Sequence, residues 1–299
     1  MAKQVLQQNT LIGLVASLVL AMIKLIAGFT GRSSALVADA VESIADTIGS
    51  ILVWHALRVA ARPPDLRHPY GYGRAEAVAA LTVGGMLVAA ALLILVKAFQ
   101  EIIVPHEPPA AWTLIVLVAV IAVKEVLFRL VMRGAKQHDS DAARADAWHH
   151  RADAITSAAA FVGVSIAVWG PHWTGVDALV LADEAAAILA SGIILITAVG
   201  LIRPALIELL DATSEEFSGN INRIATRIEG VRLVEKVYVR KSGSGYHVDM
   251  HLHVDPELSI RVAHALAGKV KSVLMKEIPS VVGILIHIEP ADDEFVAEN

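Results

Sequence analysis

The chain alternates long apolar runs with short polar breaks over its first two thirds, then changes to a finer mixture of charged and apolar positions. A helix needs about 20 residues to cross roughly 30 Å of hydrocarbon. Runs of that length are predicted as membrane spans over Thr10 to Phe29, Ser34 to Val59, Ala75 to Phe99, Trp112 to Met132, Ala145 to Trp169 and Val180 to Ile202. Between them fall Gly31-Arg32-Ser33, Arg62-Pro63-Pro64-Asp65, Pro105 to Pro109 and Gly170-Pro171, all helix-breaking or polar. Only Lys3 precedes the first run and no small-residue cleavage site follows it, so it reads as a retained helix and not as a signal peptide.

From Asp211 the pattern is that of a small soluble domain. An amphipathic helix is predicted over Glu215 to Glu229, a strand over Glu235 to Lys241, a turn at Ser242-Gly243-Ser244-Gly245 and a second strand over Tyr246 to Val254. A helix over Arg261 to Lys276 and a strand over Val282 to Ile288 complete an αββαβ order, the signature of a two-layer α+β domain. The domain boundaries are therefore 1–210 for six transmembrane helices, 211–292 for the cytoplasmic domain, and 293–299 for an acidic tail expected to be disordered.

Composition agrees with a bilayer as the main solvent: 56% of the 299 residues are hydrophobic, 18% are charged, and the mean hydropathy is +0.60. A net charge of -5 without a basic block argues against a nucleic-acid partner. The absence of cysteine excludes disulfides, thiolate metal clusters and thiol nucleophiles, so any metal must be held by His, Asp and Glu. Lys and Arg gather in the second and fourth connections (Arg58, Arg62, Arg67, Arg74; Arg129, Arg133, Lys136, Arg144), which places both termini in the cytoplasm.

An ionised side chain in a membrane helix costs about 2.5 to 3.5 kcal/mol on the insertion scale, so each one calls for a reason. The second span carries Asp39, Glu42 and Asp46; Glu42 and Asp46, four apart, stack on one helical face. The fifth repeats the spacing with His149 and Asp153, beside His150. Two such pairs on facing helices supply four ligands for a divalent cation, which would offset the mutual repulsion of the carboxylates. One imidazole and several carboxylates suit Zn²⁺, Fe²⁺, Mn²⁺ or Cd²⁺. Ion pairing with Lys24, Lys124 or Arg151 is the competing account for one of these carboxylates. Asp39, one turn further out, reads as a helix-entry or outer-vestibule charge.

At these residues the chain resembles the cation diffusion facilitator family, whose spans two and five carry such four-residue pairs; Ala38 to Asp46, and the loop His68-Pro69-Tyr70-Gly71-Tyr72-Gly73-Arg74-Ala75-Glu76, are similar to its hallmarks. The resemblance implies a homodimeric exporter of divalent metal from the cytoplasm in exchange for protons by alternating access, with Zn²⁺ first and Fe²⁺, Mn²⁺ or Cd²⁺ as further cargoes. Glu42 stands where zinc-transporting relatives carry His or Asp, which leaves the metal preference open. The resemblance also implies a ferredoxin-like, copper-chaperone-like cytoplasmic domain with a binuclear regulatory metal site at His251, His264, His287 and Glu289. His247 and His253 share the polar face of the second predicted strand with His251 and Asp249, and are read as surface groups. A further loop site would use Asp65 and His68, weakened because Tyr72 stands where relatives have a second imidazole. Arg74 and Asp211 match an interdomain charge pair.

Competition between metal and protons for the same lone pairs supplies the coupling logic, with His149 as the natural carrier because an unperturbed imidazole titrates at roughly 6.5. No nucleotide-binding motif supports ATP-driven pumping, and the lack of H-E-x-x-H disfavours a membrane metalloprotease. A non-transporting scaffold of the same fold is the alternative. The short N-terminus and compact loops point to a bacterial inner membrane.

Overall fold

The structure, a computed structural model, describes residues 2–104, 107–137, 141–212 and 215–291, with side chains described at all of these except 2–13, 135, 137, 141–146 and 149. The acidic tail lies outside the described residues. Elements follow in the order α1 (Ala2–Thr30), α2 (Ser34–Ala60), α3 (Ala75–Ile103), α4 (Thr113–Gln137), α5 (Asp141–Thr174), a short 3₁₀ turn (Asp177–Leu181), α6 (Ala182–Leu209), α7 (Glu215–Thr226), β1 (Leu233–Ser242), β2 (Gly245–Val254), α8 (Ile260–Glu277) and β3 (Val281–Pro290). They form two compact units, one of residues 1–52 and 82–201, the other of residues 53–81 and 202–299.

In the first unit the backbone bonds run along the helices themselves, as hydrocarbon demands. Small and apolar residues form the interior, among them Ala27, Ala35, Leu36, Leu117, Ala160 and Val164. Large apolar side chains point outward instead, for example Ile26, Leu93, Ile115, Leu189 and Ile196. That distribution fits lipid as the surrounding solvent. Helices α3, α5 from His150, and the segment Asp177–Leu209 are long and apolar enough to cross a membrane by composition alone. Helix α2 carries Asp39, Glu42 and Asp46, and α4 carries Lys124, Glu125 and Arg129, which lowers their mean hydropathy without shortening them.

The fifth span was predicted to break at Gly170-Pro171, yet α5 continues through Pro171 to Thr174. Pro171 costs the helix the bond that its N–H would make to Ala167 O, but only three residues follow it before the helix ends. Gly175 N donates to Pro171 O at 2.9 Å and Thr174 Oγ1 to Gly170 O at 2.7 Å, holding the final turn. The chain leaves the helix at Gly175, whose φ of +71° suits only glycine comfortably. Helix α6 likewise passes through Pro204 and ends at Leu209, before Asp211 at φ +56°.

In the second unit a three-stranded sheet has the order β1-β2-β3, with β1 and β2 antiparallel and β3 parallel to β2. Ser242 pairs with Gly245 across the two-residue hairpin turn, and Gly243 adopts φ +60° within it. One face of the sheet, with Val239, Val248, Met250 and Leu252, packs with Ile221, Ile224, Val270 and Leu274 of α7 and α8. The alternation of β2 therefore sends His247, Asp249 and His251 to the opposite face.

Candidate metal centres

In the membrane unit, helices α1, α2, α4 and α5 bring charges of both signs into the interior. Lys24 Nζ lies 2.8 Å from Asp39 Oδ2 and donates to Ser43 Oγ at 3.0 Å. Asp39 also accepts from Ser157 Oγ at 2.8 Å, so three helices meet at one carboxylate. Asp39 is 3% exposed, and its expected place at an open vestibule gives way to a buried ion pair. A buried carboxylate is tolerated when a cation and hydroxyl donors surround it, and here both are present.

Asp153 bonds the ammonium of Lys124, which also donates to Ser17 Oγ at 2.9 Å. Lys124 is 1% exposed. Glu42 and Asp46 are half-buried, and Glu42 lies within electrostatic reach of Asp46, Asp39, Asp153 and Lys24. Carboxylates of α2 and α5 thus lie within electrostatic reach of one another. The side chain of His149 lies outside the described residues, although its backbone belongs to α5. Arg151, the third candidate cation, stacks instead over Phe128, 4.6 Å from the ring centre.

The loop residues Asp65, His68 and Tyr72 satisfy one another. Tyr72 Oη donates to Asp65 Oδ2 at 2.6 Å, while the backbone N–H groups of Arg67 and His68 donate to Oδ1 at 2.9 and 2.7 Å. His68 Nδ1 is 3.3 Å from the same oxygen and its ring lies 4.2 Å from that of Tyr72. The phenol hydrogen bond, then the backbone donors, lower the Asp65 pKa to about 2. A turn with its carboxylate already saturated has two potential ligands and no third beside them among the described residues. Arg74 and Asp211, matched through the resemblance, form an ion pair.

On the open face of the sheet, potential ligand atoms of His251, His287 and Glu289 lie within 4.8 Å of one another, and those of Glu235, His253 and Glu289 form a second group of the same size. His251 Nδ1 is 2.6 Å from Glu289 Oε1, whereas His253 Nε2 is 3.2 Å from Glu289 Oε2. Glu289 therefore faces one group with each oxygen. Neutral imidazoles and carboxylates suit Zn²⁺ and similar ions. The donor set fits a divalent metal.

His264 belongs to neither group. It is exposed on α8, whose packing residues Ala263, Val270 and Leu274 face the apolar side of the sheet. Glu235 is the residue that sequence reasoning missed, and His253, read there as a surface group, is 5% exposed and faces Glu235 and Glu289. The pairing of β1 with β2 shifts between Val234 and Lys236, leaving Glu235 as an extra residue that a bulge turns toward the histidines. Two adjacent charges, Glu235 and Lys236, interrupting an alternating strand were the available signal. The Lys236 ammonium, bonded at 2.7 Å, is the main cause holding the Glu235 carboxyl below its ordinary pKa.

Residues 10–210 match the cation efflux transmembrane domain, and residues 213–291 match the cation efflux protein cytoplasmic domain. The chain belongs to the cation efflux family. Manganese efflux system protein MneP of Bacillus subtilis (strain 168) is 30% identical over 294 residues, covering 98% of each chain. Metal tolerance protein C1 of Arabidopsis thaliana is 31% identical over 95% of this chain and 62% of its own. Magnetosome protein MamB of Magnetospirillum gryphiswaldense is 30% identical over 92% of this chain and 91% of its own. Among solved structures, the MamM CTD in a nickel form is 25% identical, with a TM-score of 0.26, covering 26% of this chain and all of its own. As a cation efflux protein, the chain is an integral membrane transporter of metal cations with a small α+β domain at its C-terminal end.

Proposed function

We propose that the protein exports a divalent transition metal from the cytoplasm in exchange for protons, by alternating access at Glu42, Asp46, His149 and Asp153, with Mn²⁺ as the favoured cargo and Zn²⁺ second. The observation that carries this reading is the convergence of α2 and α5 carboxylates on one buried region that also holds Lys124. Three carboxylates to one imidazole make a harder donor set than a histidine-rich site, and harder oxygen donors suit Mn²⁺. Two relatives of matching length named as manganese efflux proteins, MneP and MneS, support that order. Zinc, placed first from the sequence, keeps its place as the second cargo because the same ligands serve it.

Protons and metal compete for the same oxygens and nitrogen, so one site exchanges them. Asp153 enters that competition already bonded to an ammonium, so an arriving ion must separate the two. The two groups around Glu289 act as a regulatory metal site, and the protein works as a homodimer in a bacterial inner membrane with both termini in the cytoplasm. The second unit's metal groups draw paired cytoplasmic domains together when cytoplasmic metal rises.

Flux into proteoliposomes tests the reading. An imposed pH difference is expected to drive Mn²⁺ accumulation against its gradient, and Asp46→Ala and Asp153→Ala each to abolish it while the protein remains a folded dimer. Absence of flux for Mn²⁺, Zn²⁺, Fe²⁺ and Cd²⁺ in well-folded wild type would leave the scaffold alternative standing.

A further inference from the structure

Within the second unit, a cavity of about 380 Å³ opens between the loop joining α2 to α3 and the β1–β2 hairpin. Arg74, Arg240 and Lys241 line it, with the imidazoles of His68 and His247 and the ring of Tyr70. Asp211 is the single carboxylate on its described wall and is paired with Arg74, so Arg240 and Lys241 are the cations left facing the cavity. Burial, and then the Arg240 guanidinium, push the His247 pKa down against the opposing pull of Asp249, as an electropositive chamber would.

Acidic partners outside the wall hold these two cations loosely. Arg240 Nη2 is 3.5 Å from Asp249 and Lys241 Nζ is 3.6 Å from Glu208, beyond good hydrogen-bonding distance. Arg240 Nε is buried and has no hydrogen-bond partner, which is costly for a guanidinium donor. Its plane is held over Tyr70, 4.3 Å from the ring centre, and Tyr70 in turn meets His247 edge-on at 5.4 Å. A guanidinium held over a ring and only loosely paired, beside an ammonium that is equally loosely paired, can turn its charge to a phosphate.

The cavity floor includes Ala75 and Val78 of the first turns of α3, a helix apolar enough to cross a membrane, and Val78 is 55% exposed. An anion in the chamber would therefore have an apolar helix flank beside it. We propose that this cavity binds the phosphate of an anionic phospholipid headgroup, whose acyl chains lie along α3. The bound phosphate rests on the hairpin through Arg240 and Lys241, beside the Arg74–Asp211 pair.

Native mass spectrometry of the full chain in mild detergent tests this, with phosphatidylglycerol and phosphatidylcholine of matched acyl chains as probes. Wild type is expected to retain phosphatidylglycerol in preference, and Arg240→Gln or Lys241→Gln each to reduce that retention about fivefold, the worth of one cation near an anionic headgroup. Arg62→Gln, a loop cation outside the cavity wall, is expected to leave retention unchanged. Equal retention of both lipids by wild type, unchanged retention in both cavity variants, or an equal loss in Arg62→Gln would each overturn the proposal. Displacement of phosphatidylglycerol by millimolar inorganic phosphate would assign the chamber to the free anion and overturn the lipid as its source.

Discussion

Lys124 Nζ and the carboxylate of Asp153 are bonded inside the helix bundle, with the lysine side chain 1% and the aspartate side chain 11% exposed. If Asp153 is a ligand as proposed, the ammonium and an arriving metal compete for the same carboxylate. Breaking a buried pair from one side leaves an uncompensated charge and costs about 3–5 kcal/mol. Lys124→Met is therefore expected to lower the stability of the metal-free protein by that order, and to make Mn²⁺ raise its Tm by more than it does in wild type. Equal metal-induced shifts in the two proteins would show that the lysine does not compete with the ion.

A second buried pair permits the opposite outcome. Asp39 is saturated by Lys24 and Ser157, and each of its bonds joins it to protein groups. Asp39→Asn is expected to destabilise the helix bundle by about 3–5 kcal/mol because Lys24 stays buried and charged. Lys24→Met combined with Asp39→Leu is expected to recover much of that loss, since apolar replacements of a buried pair are often neutral. Metal affinity by calorimetry should be unchanged in the double variant; a loss of tenfold or more would make Asp39 a ligand after all.

The contrast between these aspartates explains how far the sequence could be read. Four-residue spacing is a property of one helix, so Glu42 over Asp46 was legible from local pattern alone. Which carboxylate meets Lys24 and which meets Lys124 depends on the packing of α1 and α4 against their neighbours, and no local period encodes that. Strand alternation likewise gave the polar face with His247, Asp249 and His251 correctly. Glu235 was out of reach of that pattern, because a bulge inserts one residue and reverses the parity of everything before it. His264 was matched by resemblance, yet its helix packs on the far side of the sheet from the histidine cluster.

The α2–α3 loop gives a pH prediction. Asp65 has a pKa lowered from 3.8 to about 2, chiefly by the Tyr72 hydroxyl. A lowered pKa means that the folded loop favours the carboxylate, so its stabilising contribution is complete above about pH 4 and is lost as pH falls toward 2. Tyr72→Phe removes the largest cause, and the Asp65 pKa is expected to rise toward its ordinary value. Carboxyl ¹³C NMR of the labelled protein reads both titrations; coincident curves would assign the shift to the backbone donors instead.

Glu289 and Glu235 differ in a way that separates one metal group from two. Glu289 presents Oε1 to His251 and Oε2 to His253, whereas Glu235 belongs only to the group with His253. Loss of a carboxylate shared by both groups weakens every ion held there. Loss of Glu235 weakens one, and leaves His251, His287 and Glu289 in place. Calorimetric Zn²⁺ titration of the full chain carrying Asp46→Ala, chosen to disable the proposed membrane site, is therefore expected to lose cytoplasmic binding by tenfold or more on adding Glu289→Gln. Adding Glu235→Gln should remove a single binding step and spare the other. His264→Ala should change neither step if each protomer's cluster binds on its own, because that imidazole is on the opposite side of the domain. A tenfold loss in His264→Ala would mean that a second copy of the chain completes the centre.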